Sequence, residues 1–143
     1  MAMRSYISRI DKPMIDKLAL IYLENQKILV AKSRGRDTFY IPGGKREPGE
    51  SDEDALVREI SEEISIALDP ALLQFHGEFQ AQAHGQPEGV LVRLRCYITS
   101  ERGEVKTAAE IGEASWLSYA DRRKVSLAAQ LLFDDLKAKG LLA

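Results

Sequence analysis

Residues Gly43 to Ile66 read GGKREPGESDEDALVREISEEISI, and this stretch decides how the rest of the chain is read. Pro42, Gly43 and Gly44 make a turn ahead of it. Ser51 stands where a helix begins, and Asp54 three residues later completes a Ser-x-x-Asp capping pattern. No glycine or proline interrupts the residues from there to Ile64, and Leu56, Ile60 and Ile64 recur at every fourth position. That spacing predicts a helix with an apolar stripe that packs on a sheet. Glu59, Glu62 and Glu63 fall at i, i+3 and i+4, so they share one helical face beside the stripe.

Three like charges on one face repel one another by a few tenths of a kcal/mol per pair in an exposed helix, roughly. Either solvent screens them or a cation sits among them. On charge alone the solvated face is the commoner arrangement. The neighbouring glycines favour the cation, because they let backbone approach a ligand closely and leave a carbonyl free to point at it. Carboxylates, a carbonyl and water form an all-oxygen set that suits Mg²⁺, or Mn²⁺ in its place, with substrate phosphates completing the shell.

Gly44, five residues, Glu50, seven residues, then Arg58-Glu59-Ile60-Ser61-Glu62-Glu63-Ile64-Ser65-Ile66 resembles the Nudix box, G-x5-E-x7-R-E-U-x-E-E-x-G-U with U aliphatic. Every specified position matches except the last glycine, which is Ser65 in this chain, so the signal is highly specific. The resemblance implies an α/β fold of the Nudix type, an α/β/α sandwich with a mixed central sheet. It also implies a Mg²⁺-dependent hydrolase of a nucleoside diphosphate linked to a further group. By that implication Glu59 and Glu63 ligate metal, Glu62 does so directly or through water, and the Gly43 carbonyl adds an oxygen. Arg58 holds the box carboxylates in register, Glu50 braces the loop, and Glu47 is solvated. MutT-like members take the proton with a glutamate ahead of a late strand bearing Trp. Glu110 fits that place, Glu113 competes for it, and other members use a box glutamate. The box glycine normally permits a left-handed helix end; serine adopts that geometry at modest cost, or the helix ends a residue away.

Composition sets the outer bounds. The 143 residues predict one Nudix domain over 1–143, with 1–13 a flexible lead or a short edge strand. A net charge of −2 without a basic block argues against a nucleic-acid polymer as partner, and the expected partner is a small nucleoside phosphate. No run is apolar enough for a membrane span or a signal peptide, and the lone Cys96, expected to be buried and structural, fits a reducing cytoplasm. Many Nudix enzymes pair as homodimers, which the resemblance leaves open for this chain.

Taken in order, Leu18–Leu23 and Lys27–Lys32 read as a β-hairpin around Glu24-Asn25-Gln26, and Thr38–Ile41 as a short strand. Arg34 and Arg36 in the loop between either reach phosphate or merely solubilise it. A strand is expected around Phe75–Gln80 and a central one over Val90–Thr99, whose Arg93 and Arg95 share a face that lines a pocket or meets water. His76 and His84 lack metal-ligand spacing. Trp116 and Leu117 belong to the last strand. Ser126 opens a helix through Lys139, apolar at Ala128, Leu131, Leu132 and Leu136 and stopped at Gly140.

Subfamily marks are sparse. Where ADP-ribose hydrolases carry a proline past the box, Gln80, Ala81 and Gln82 stand. No tyrosine marks a dinucleoside polyphosphate hydrolase, and the turn is Pro-Gly-Gly without the glutamine of RNA pyrophosphohydrolases. Elimination leaves a MutT-like nucleoside triphosphate pyrophosphohydrolase first and a nucleotide-sugar hydrolase second. A non-catalytic nucleotide sensor of the same fold is the reading from another class, although such modules usually lose box glutamates that are all kept in this chain.

Overall fold

The computed structural model describes residues 14–143, so the lead expected over 1–13 lies outside them. Strands β1 (Met14–Ile21), β2 (Leu23–Glu24), β3 (Lys27–Ser33) and β4 (Gly43–Gly44) precede helix α1 (Asp52–Ile64). Strands β5 (Gln74–Gln82), β6 (Leu91–Ile98) and β7 (Ile111–Leu117) follow, and helix α2 (Leu127–Ala138) comes last. One mixed sheet runs β4-β1-β6-β5, with β1 parallel to β6 and the other pairs antiparallel. A second, antiparallel sheet runs β2-β3-β7.

Alternation along the strands builds the layers, since successive side chains point to opposite faces. Leu18, Leu20, Tyr22, Leu29 and Tyr97 pack with Leu56, Ile60 and Ile64 of α1. Ala19, Ile21, Ile28, Val30, Leu94 and Cys96 pack with Ala128, Ala129, Leu132, Phe133 and Leu136 of α2. Both sheets therefore lie between two helices, the α/β/α arrangement that the sequence predicts. Cys96 is fully buried, and burial pushes its thiol pKa up, as befits a packing residue.

Three expectations about local structure are corrected. The hairpin is confined to β2 and β3, closed by Asn25 and Gln26, both at positive φ as a two-residue I′ turn requires. Residues Leu18–Ile21 leave that hairpin and pair with β6 in the other sheet, because the chain changes sheets at Tyr22. Thr38–Ile41 is not a strand: only single bridges, Ala31 to Tyr40 and Phe39 to Val125, tie it down. Leu131 is 39% exposed, whereas Ala129 and Phe133 are buried in its stead. At about 100° per residue, the stripe through 128, 132 and 136 widens toward 129 and 133 and leaves 131 outside it.

Candidate active site

Helix α1 starts as its sequence requires. Ser51 accepts the Asp54 backbone N–H on its hydroxyl at 3.1 Å. It ends at Ser65, which sits at φ 63°, ψ 27°, the left-handed conformation that the motif reserves for glycine, and donates its N–H to the Ser61 carbonyl. Serine thus keeps the usual helix end instead of shifting it.

The glycine turn is held against both β1 and the helix. Gly43 pairs with Ala19 in the sheet, and its N–H donates to Oε1 of Glu63 at 3.0 Å. A Cβ at Gly43 would collide with the Leu18 carbonyl oxygen, and one at Gly44 would lie 2.5 Å from the Glu59 carboxylate. The two glycines therefore do different things. Gly43→Ala is expected to lower stability by about 3 kcal/mol or more, read as a fall in melting temperature. Gly44→Ala is expected to keep the fold and displace the Glu59 side chain, read as weaker divalent-ion binding in a calorimetric titration.

Glu59 and Glu63 line one cleft of about 540 Å³ together with Gly43 and Gly44. Glu63 is half-buried, and its pKa is pushed up to about 7, first by desolvation and then by the Glu59 and Glu110 charges, against the pull of the Gly43 N–H and Lys17. Glu62 turns away: its side chain is 59% exposed and 3.6 Å from Arg58. Among the described residues, no three His, Cys, Asp or Glu side chains converge on one point close enough to ligate an ion. The donors that do meet, two carboxylates beside a glycine backbone, are hard oxygens and fit Mg²⁺ or Mn²⁺.

Arg58 is the hub of the box. Its guanidinium donates twice to Glu50, at 2.8 Å each, once to Glu59 at 3.0 Å and once to the Lys45 carbonyl at 3.1 Å. Glu50 in turn accepts the Glu47 N–H at 2.7 Å, while the Glu47 side chain itself is 66% exposed. The forked geometry explains why an arginine is needed there, since a lysine presents no such pair of parallel donors.

Glu110 is exposed in the turn that leads into β7 and stands outside the lining of the cleft, although its charge bears on both Glu63 and Tyr40. Glu113 is engaged elsewhere, 3.4 Å from Lys32. Arg34 is bound into the same turn. Its backbone N–H donates to the Glu110 carbonyl, and its guanidinium donates to the Ala109 carbonyl. Arg36 does line the cleft.

Sequence reasoning passed over two cations and one network. Lys17 and Lys45 line the cleft with Glu59 and Glu63, and among the described residues neither is in an ion pair within 4.0 Å. The available signal was Asp16-Lys17, two opposite charges side by side in a strand and hence on opposite faces.

Arg93 and Arg95 neither line the cleft nor simply face water. Arg93 donates to Asp16, and Arg95 bridges Asp52 and Glu78 at 2.7 Å each. Arg46, from the box loop, joins Asp16 and Asp52, and the Tyr97 hydroxyl donates to Asp52 at 2.6 Å. This lattice clamps the loop and the first turn of α1 to the sheet. Desolvation alone would raise the Asp52 pKa, but its Tyr97, Arg95 and Arg46 donors together bring it down to about 2. A depressed folded pKa means stability that is present above the unfolded value of 3.8 and is lost as pH falls toward 2. Asp52→Asn should thus cost about 2 kcal/mol at pH 7 by urea denaturation, with the gap to wild type closing as pH falls from 3.8 toward 2.

A mixed sheet thus lies between helices, and two carboxylates of one short helix line a single cleft with a glycine corner and the cations Lys17, Lys45 and Arg36. The chain belongs to the Nudix hydrolase family: the NUDIX domain profile matches residues 14–134. The solved MutT protein of Methanosarcina mazei Go1 superposes with a TM-score of 0.72 at 20% identity, over 91% of this chain and 97% of that one. The E. coli ORF135 protein superposes with a TM-score of 0.66 at 24% identity, over 88% and 90%. At such identities the likeness is one of fold. Among curated proteins, the mouse 8-oxo-dGDP phosphatase NUDT18 is 37% identical over 59 residues, 39% of this chain and 18% of that protein. No helix among the described residues is long and apolar enough to cross a membrane.

Proposed function

We propose that the protein hydrolyses the pyrophosphate bond of a nucleoside triphosphate in a magnesium-dependent reaction, as MutT-like enzymes do. The observation that carries this reading is the cleft itself, which Glu59 and Glu63 line together with Lys17, Lys45 and Arg36 and with an apolar wall of Phe39, Val92 and Leu94. The cations attract a polyphosphate chain, and the apolar wall accepts a flat base. Glu59, Glu63 and the Gly43 carbonyl are the groups that would hold magnesium, with Glu62 joining through water, and the metal when bound would neutralise phosphate charge and make the attacking water more acidic.

The remaining work belongs to side chains. Glu110 takes a proton from water as its oxygen bonds to phosphorus and the bridging P–O bond breaks. Arg58 keeps Glu59 and Glu50 in register. Lys17 and Lys45 balance the charge of the phosphates. The test is phosphate or pyrophosphate release from a panel of nucleoside triphosphates, nucleotide sugars and, because of the mouse relative, 8-oxo-dGDP, with and without Mg²⁺. Release from triphosphates that needs the metal is expected. Preference for a nucleotide sugar would overturn the substrate class, and no release at all would favour a nucleotide sensor.

A further inference from the structure

The loop between β6 and β7 carries Glu110, and three hydrogen bonds fasten it to the end of α1. Lys106 N–H donates to the Ile64 carbonyl and Ala108 N–H to the Glu63 carbonyl, both at 2.9 Å. The third is the hydroxyl of Ser65, which donates to the Lys106 carbonyl at 3.0 Å. From Ala108 the chain turns directly into the strand, with Ile111 N–H returning to the Ala108 carbonyl at 3.0 Å. Only the Ser65 bond of the three runs through a side chain. The residue that makes it occupies a left-handed backbone conformation where glycine is more at ease, and glycine would have no hydroxyl to give.

We infer that Ser65 is a positioning residue, whose hydroxyl sets the register of residues 106–110 against α1 and so places the Glu110 carboxylate relative to Glu63. This rests on the reading of Glu110 as proton acceptor. The neighbouring bond from Ala108 ties the two halves of the site together: Glu63 has its carboxylate in the cleft and accepts the Ala108 N–H on its carbonyl. The alternative is a surface hydroxyl that happens to meet a carbonyl. In that case glycine would serve as well or better in every respect.

Ser65→Gly and Ser65→Ala separate the two. Glycine removes the donor while easing the backbone, so its melting temperature is expected to equal or exceed that of wild type. Loss of one hydrogen bond should speed amide exchange at Lys106 and Ala108 about fivefold in both variants. With the panel's fastest substrate, kcat should fall about fivefold while KM stays within about twofold, because geometry and not binding is disturbed. Added to Glu110→Gln, Ser65→Gly should lower kcat no further, since the group it positions is already gone. Unchanged exchange at Lys106 and Ala108, or a kcat loss that persists undiminished in the Glu110→Gln background, would overturn the inference. Failure of the proton-acceptor reading looks different: Glu110→Gln alone would turn over at the wild-type rate.

Discussion

Glu63→Gln should reduce magnesium-dependent release by roughly a thousandfold, the equivalent of about 4 kcal/mol of transition-state stabilisation. The substitution is close to isosteric, and the amide oxygen can still accept the Gly43 N–H that the carboxylate accepts at 3.0 Å. The glycine corner therefore stays in place and only the charge is lost. The same variant carries a second expectation of opposite sign. Because the folded pKa of Glu63 is raised from 4.5 to about 7, the folded chain holds a proton that the unfolded chain has already released across that window. Stability falls as pH rises through it. Without divalent ions, Glu63→Gln should melt above wild type at pH 8 and level with it at pH 5. A variant that keeps its rate, or one that melts lower at pH 8, would count against a metal-binding, half-buried role for this carboxylate.

The second large effect is expected at Glu110. Glu110→Gln should lower kcat by about a hundredfold or more, the range of general acid–base catalysis, and leave the affinity for Mg²⁺ within about twofold. The reason for the separation is spatial. Glu110 is exposed in a turn beyond the lining of the cleft, and its charge reaches Glu63 without sharing its hydrogen bonds. Kinetics at saturating metal, with a parallel calorimetric titration, would distinguish it from a ligand. Equal loss of affinity and rate would reassign it to the metal, and an unchanged rate would remove it from the chemistry.

What could be read from the sequence was what is local to it. The helix over 52–64, its Ser51 cap and its stripe of Leu56, Ile60 and Ile64 depend on spacing along a single element, and they stand as expected. The sandwich followed from alternation and from the family resemblance. The failures come where distant segments meet. The aliphatic run from Leu18 to Leu23 shows no break, so nothing local marks Tyr22 as the point where the chain leaves one sheet for the other. Lys17 was missed for the same reason, because it reaches Glu59 and Glu63 only through the pairing of β1 with the glycine turn. Arg93 and Arg95 were correctly placed on one face, but the carboxylates that occupy them come from β1, β5 and α1. Ser65 was legible as a departure from a pattern, while its partner at Lys106 was not.

The parallel pairing of β1 with β6 also bears on biosynthesis. Met14 has to wait for Leu91 before its neighbour exists, and β3 has to wait for Ile111–Leu117. At about 5–20 residues per second, a ribosome therefore holds the emerging chain for several seconds with the acidic helix already made and neither sheet closed. During that interval the aliphatic faces of β1 and β3 are without their long-range partners, the condition under which nascent chains depend on chaperones.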